Sequence, residues 1–311
     1  MRAGVRPGVL VGCVIAALLV MSCRGAATTT VEDRFAGGYP VVRDSATGIT
    51  AILGTPDLGV GTFRVALALS DERGLVRFPA LTLRSYRSGG SGSLQSPAEE
   101  AAADFHPFPD GGRGLYAARL TFDRAGAWTI VASVPRANGS VASITVPVTI
   151  AERASAPVVG AVAPASKNRI ASDVSSLDRL TSGSAPDPAL YQHRIADSLA
   201  AHRPMVVIFA SPAFCTTPLC GPQVEDASDL VKLYGDRVDF AHVDLFQNPH
   251  EINGDLKRAQ RSPLLKEWGL RTDEWTFVID STGAIAGRFE AFVPRAELET
   301  AIKRALEAPA R

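Results

Sequence analysis

The sequence predicts two domains, an all-β sandwich over residues 31–152 and an α/β unit over 189–311, joined by a linker over 153–188. Three observations predict this. A chain of 311 residues fits about two domains. Between Val31 and Ile150, large apolar residues recur at period two in short runs bounded by Gly, Pro and Asp, with no helical period. From Ala189 onward, segments of helical and strand period alternate, as they do in α/β layers. The charge is balanced, 32 basic against 32 acidic side chains, so no basic field attracts nucleic acid, which is excluded as a partner.

The N-terminus has the layout of an export signal over residues 1–22. Arg2 and Arg6 precede an apolar run from Gly8 to Met21. Fourteen residues span about 21 Å as a helix, short of the roughly 30 Å of a bilayer core, which favours a cleaved signal over a permanent anchor. Val20-Met21-Ser22-Cys23 resembles the lipobox of bacterial lipoproteins. The resemblance implies lipidation of Cys23, a small polar tether over 23–30, and an extracytoplasmic protein held to a membrane on its periplasmic or cell-surface side. Plain secretion and an uncleaved anchor are the alternatives. Cys13 lies in the apolar run and is discarded with it, so Cys215 and Cys220 are the thiols of the mature chain.

In the β region, 62–69, 81–86, 115–122, 127–132 and 143–150 read as strands. Asp123-Arg124-Ala125-Gly126 reads as a four-residue turn between two of them. The Gly-, Ser- and Pro-rich stretch 88–110 reads as a long inter-strand loop carrying His106, a lone histidine and so a solvated residue before it is a ligand. The pattern GGRGLYAARLTFDRAGAWTIVA over 111–132 resembles immunoglobulin-like modules of the FixH, YtkA and CopC type in exported bacterial proteins. That resemblance implies a fold and no chemistry. Residues 153–188, with four prolines and many Ser and Ala, lack the apolar content for a core of their own.

The α/β region reads in order as a helix from Ala189 to about His202, a buried strand 205–210, the two cysteines, a helix from about Gly221 that Gly235 ends, a strand 238–245, a short helix 264–268, a hairpin of 275–279 and 284–289 across Asp280–Gly283, and a last helix opened by Pro294. The run Val206–Ala210 before the cysteines, Gly221-Pro222 after them, and the strand Thr276–Asp280 with Gly283 resemble the thioredoxin superfamily over 189–308. The resemblance implies a thioredoxin-like fold with a redox pair at a strand-to-helix junction. A helix N-terminus favours the thiolate, the form that attacks disulfides or binds soft metals.

Four residues separate the cysteines where the superfamily has two. Residues five apart on a helix have Cα atoms roughly 8–9 Å apart, beyond the approximately 7 Å limit of a disulfide, so a bridged pair demands a loop, with Pro218 in it. Placing the helix start near Gly221 makes Cys220 the thiolate and Cys215 its resolving partner; alignment by distance from the strand reverses the roles. The superfamily's usual proline before the late strand is replaced by Asp273-Glu274-Trp275; the resemblance implies Glu274 and Trp275 as neighbours of the thiols, with packing the alternative role for Trp275.

Four functions fit such a pair. The first is thiol/disulfide exchange with exported protein thiols or disulfides, without a cofactor. A structural disulfide in a non-catalytic interaction module is the second. Copper binding of the type found in thioredoxin-like assembly factors is the third, with Cys215, Cys220 and a histidine, His242 or His250, as donors; outside that reading no metal is assigned. A peroxiredoxin-like peroxidase is the fourth, from Thr217 to Cys220 with Arg288 as its arginine.

Overall fold

A computed structural model describes residues 1, 4, 29–32, 38–88, 96–108, 111–136, 138–214 and 222–308. The predicted signal and lipidation segment, including Cys23, lies outside them. Among the described residues no helix is long and apolar enough to cross a membrane.

The first half forms ten strands: β1 (Thr29–Glu32), β2 (Val41–Asp44), β3 (Ile49–Leu53), β4 (Gly61–Asp71), β5 (Gly74–Leu75), β6 (Ala80–Arg87), β7 (Glu99–Pro107), β8 (Gly114–Phe122), β9 (Gly126–Pro135) and β10 (Val141–Ile150). They pair antiparallel in one sheet of order β1-β2-β3-β4-β8-β7-β6-β9-β10, with β5 on β4. Setting aside β1 and the two-residue β5, eight strands curl until β10 approaches β2 and β3, so the sheet nearly closes on itself. Alternation makes this possible: β10 is buried at every second residue along its whole length. Val65, Leu67 and Leu69 of β4, Leu120 and Phe122 of β8, Ile130 and Ala132 of β9, and Ile144 and Val146 of β10 fill the inside. Trp128 meets Phe122 edge-on at 5.2 Å and donates its indole N–H to the Arg124 carbonyl at 3.0 Å.

This corrects the expected fold class, an immunoglobulin-like sandwich followed by an α/β thioredoxin-like domain. The chain is mostly β, 38% strand against 21% helix, its first half is one barrel-like antiparallel sheet rather than two facing sheets, and its C-terminal part does not make a clear α/β thioredoxin-like domain. The reason lies partly in β7. Its segment reads as loop, yet it pairs with β8 on one side and β6 on the other, and so welds two groups of strands into one sheet. Asp123–Gly126 is consequently no hairpin turn, since β8 lies between β4 and β7 while β9 lies between β6 and β10.

The C-terminal part holds a four-stranded sheet, β11 (Met205–Ala210), β12 (Asp239–Asp244), β13 (Trp275–Ile279) and β14 (Ile285–Glu290), in the order β12-β11-β13-β14. The β11–β12 pair is parallel and the other two pairs are antiparallel. Every residue of β11, β12 and β13 is buried, as the unbroken apolar run at Met205 requires of a strand covered on both faces. Helices α2 (Gln223–Tyr234) and α5 (Arg295–Glu307) cover one face through Ala227, Leu230, Leu298 and Ile302. Three helices are short: α1 (Ile195–Ala200), α3 (Pro249–Ile252) and α4 (Pro263–Glu267). The other face is covered by Ile195 of α1, Leu265 of α4 and the aromatic group Phe209, Trp268, Trp275 and Phe277.

Residues 153–188 are strapped down. Gly160 and Ala163 donate backbone N–H groups to the carbonyls of Ile285 and Gly283 at 2.8 and 2.9 Å, and Ser166 bridges Glu267 and the Trp268 indole, both at 2.8 Å. Ser155 crosses so closely over Gly269 that a Cβ there would lie 2.2 Å from the Ser155 carbonyl oxygen, and Gly269 has φ +67°. Gly269→Ala is expected to cost about 3 kcal/mol or more in urea-induced unfolding, because both the left-handed backbone and the backbone clash oppose a side chain.

Buried charges join the two halves. The Arg288 guanidinium pairs with Asp57 at 2.7 Å, with both side chains under a tenth exposed. Arg64, on β4, donates to Glu297 of α5 and to the Phe292 carbonyl, each at 3.1 Å. That second contact steadies the β14–α5 connection, where Ala291 takes the left-handed region at φ +58°. Glu290 accepts from the Asp57 backbone N–H at 3.0 Å and from the Thr272 hydroxyl at 2.6 Å. Burial pushes the Glu290 carboxyl up to about 8, with Arg288 opposing.

The folded protein therefore holds this proton in a pH range where the unfolded chain has released it. Stability falls as pH rises from the ordinary glutamate value to about 8 and levels off above it. The interval is roughly 3.5 pH units at about 1.4 kcal/mol each, an effect of the order of 5 kcal/mol. Glu290→Gln keeps an acceptor for the Asp57 N–H and offers a donor to Thr272. Unfolding free energies at pH 5 and pH 9 are expected to show the variant losing most of this slope and exceeding the parent at pH 9.

Candidate functional site

The cysteine-bearing connection leaves the sheet at the carboxyl end of β11. Cys215, Pro218 and Cys220 lie outside the described residues, and their surroundings are read from what flanks them. On the near side, Ser211 follows the last residue of β11 and is fully buried. On the far side, Pro222 caps α2, whose first turn carries Glu225 and Asp226 and receives no side-chain capping hydrogen bond among the described residues.

Asp244, at the end of β12, organises the strand ends. Its Oδ1 accepts from the Ser211 hydroxyl at 2.9 Å and the Phe246 N–H at 3.0 Å. Oδ2 accepts from the Ser182 N–H and hydroxyl, both at 2.8 Å. Ser182 in turn accepts from the Ala213 N–H at 3.2 Å, so the first residues of the cysteine connection are pinned to β12 through two serines. Phe214, immediately before Cys215, stands edge-on to Phe246 at 5.8 Å, and the Arg261 guanidinium lies over the other partner of that pair, Phe246, at 5.8 Å.

His242 is two residues earlier on the same face of β12 and is buried. Its Nε2 lies 3.0 Å from the Ala210 carbonyl, which only accepts, so Nε2 carries the proton. Nδ1 therefore accepts from the Tyr191 hydroxyl at 2.8 Å. Burial lowers the His242 pKa and raises that of Tyr191, which keeps both neutral. As the third donor of a copper site, His242 has both ring nitrogens already engaged.

The remaining predicted residues are dispersed. Glu274 is buried at the junction of the halves, where its backbone N–H faces the Tyr39 hydroxyl at 3.3 Å. Trp275 stacks on Phe277 at 5.6 Å under the Arg288 guanidinium, on the face of the sheet opposite α2. Arg288 is committed to Asp57 and packed over Phe63. His250 lies in α3, 3.7 Å from Glu251. His106, on β7 rather than in a loop, is half-buried, and burial lowers its pKa. Among the described residues no group of three or more His, Cys, Asp or Glu side chains is disposed to hold a metal ion; the two cysteines are outside that set.

Sequence reasoning missed Asp244 and its serines. The signal was present: Asp239, His242 and Asp244 stand in an otherwise apolar strand, and a polar side chain there needs partners. No protein family, curated protein or solved structure matches the chain.

Asp244→Asn tests the network. Each carboxylate oxygen faces a backbone N–H, that of Phe246 or of Ser182, so either orientation of the amide sets its NH2 against a donor that cannot turn. The substitution is expected to cost about 2 kcal/mol in chemical denaturation. Asp239→Asn, whose partners Ser198 and Arg203 are side chains that can reorient, is the milder comparison.

Proposed function

We propose that this protein carries out thiol/disulfide exchange on exported partners through Cys215 and Cys220, anchored to a membrane by a lipid on Cys23. The observation that carries the reading is the station of the pair: it lies in the connection between a fully buried strand, its end pinned by Ser211 and Asp244, and the N-terminus of a 12-residue helix free of side-chain caps among the described residues. A helix end of this kind offers unpaired N–H groups to an anion, and the thiolate is the attacking species.

In the forward direction one thiolate attacks a partner disulfide and expels a partner thiolate, giving a mixed disulfide. The second cysteine, deprotonated, then attacks its neighbour's sulfur and expels the other partner thiol. Two electrons pass to the partner, Cys215 and Cys220 end as a disulfide, and the protons released by the pair balance those taken up by the partner's thiols. No cofactor enters.

Cys215→Ser and Cys220→Ser are each expected to reduce turnover of a disulfide-linked peptide by at least about a hundredfold, with the melting temperature unchanged. A reduction potential below about −300 mV, together with a lowered melting temperature on reduction, identifies a structural bridge instead and removes the exchange reading. Stoichiometric Cu(I) binding that depends on both cysteines and on a histidine would support copper handling in its place.

A further inference from the structure

Far along the chain from the cysteines, a cleft of about 320 Å³ opens where the outer face of β4 and β8 meets α5, β14 and the strap. This is the lower end of the roughly 300–1,000 Å³ usual for small-molecule sites, which suits a small ligand. Two features of its wall are unusual for a surface whose overall charge is zero.

The first is apolar. Val60, Val158 and Val159 line the cleft and stay 41%, 39% and 56% exposed, although they come from two separate segments. Large side chains of this kind gathered at one concave place mark a binding surface rather than scatter.

The second is cationic. Arg64 and Arg119 stand directly opposite each other on β4 and β8, an arrangement that destabilises a sheet unless the charge is answered. Glu297 answers Arg64 at 3.1 Å. Arg119 has no ion pair among the described residues, and neither does Arg304, which lies two turns beyond Glu297 on the same side of α5. Two exposed guanidinium groups therefore border the same cleft as the three valines. A guanidinium presents parallel N–H groups that match a carboxylate in two-point geometry.

We infer that this cleft binds a small amphipathic monoanion, a carboxylate on a short apolar body, with Arg119 and Arg304 taking the carboxylate and Val60, Val158 and Val159 covering the apolar part. The inference requires nothing of the cysteine pair. Ligand bound here touches β4, β8, α5 and the strap together and so favours the docked arrangement of the two halves over any state in which they separate.

Titration calorimetry on the full chain at low salt tests this with octanoate as the probe, acetate as the head alone and octanol as the body alone. Octanoate is expected to bind at least about tenfold more tightly than either. Arg119→Ala and Arg304→Ala, both at exposed positions, are each expected to weaken octanoate about tenfold with the melting temperature of the free protein unchanged. Val159→Ser, which removes apolar surface without adding charge, is expected to weaken octanoate while leaving acetate unaffected. Octanoate binding no tighter than acetate and octanol, or octanoate affinity unchanged in both arginine variants, overturns the assignment.

Discussion

The Asp57 carboxylate is the point on which the molecule turns. It stands in the loop before β4, receives the Arg288 guanidinium from β14, and accepts the backbone N–H groups of Ser155 and Ala156 at 2.8 and 2.9 Å. Its own N–H goes to Glu290. One residue thus holds the curled sheet, the strap and the second sheet in fixed relation. A buried ion pair of this kind is weak evidence of net stability, because desolvation offsets its attraction. It is better evidence of specificity: an apolar substitute would let the halves slide, whereas hydrogen bonds of fixed direction do not. Glu290 keeps its proton chiefly because it is buried, with Arg288 opposing and the Asp57 carboxylate adding to the effect of burial.

The cleft at Arg119 and Arg304 is a consequence of that junction. The outer face of β4 is apolar where it meets the second half, with Ala66 and Ala68 packed near Phe292, and turns polar at Arg64 and Thr62 toward the other end. Asp57 and Arg64 fix how closely the two halves approach. Beyond their reach the surfaces part, leaving Val60 and Arg119 exposed on the first half and Val158, Val159 and Arg304 on the strap and α5.

Local periodicity made individual elements legible. The strand pattern over 143–150, the unbroken apolar run at 205–210, and the helical spacing over Val224–Tyr234 and Leu298–Leu306 each correspond to an element in the structure. How the strands group was not legible. Glu99-Glu100-Ala101-Ala102-Ala103 has no large side chain to betray β7, yet that strand decides that the sheet is one and curls toward closure. The site divides the same way. Two cysteines announce themselves by residue type, while the Asp244 network is assembled from residues 33 and 62 positions apart in sequence, which no local pattern connects. Glu274 and Trp275 are placed by resemblance, and no local pattern shows their contacts with Tyr39 of the first half and with the aromatic packing of the second sheet.

For the proposed exchange reaction, the flanks of the cysteine connection bear on direction. The N-terminus of α2, free of side-chain caps among the described residues, favours an anion, but Glu225 and Asp226 occupy its first turn and already complement the helix dipole. Asp226 is half-buried, and burial pushes its carboxyl up, so it is a proton acceptor of raised affinity close to the helix end. Acidic neighbours disfavour a second negative charge, so a thiol standing at this turn would gain less from the helix end than one at an uncompensated end. An exchange pair whose thiolate is strongly stabilised is an oxidant, because its reduced form is the favoured one. A pair without that stabilisation favours the disulfide and gives up its electrons. In the proposed exchange, a pair standing at the start of α2 would run toward reduction of its partner, with Glu225 and Asp226 setting that direction.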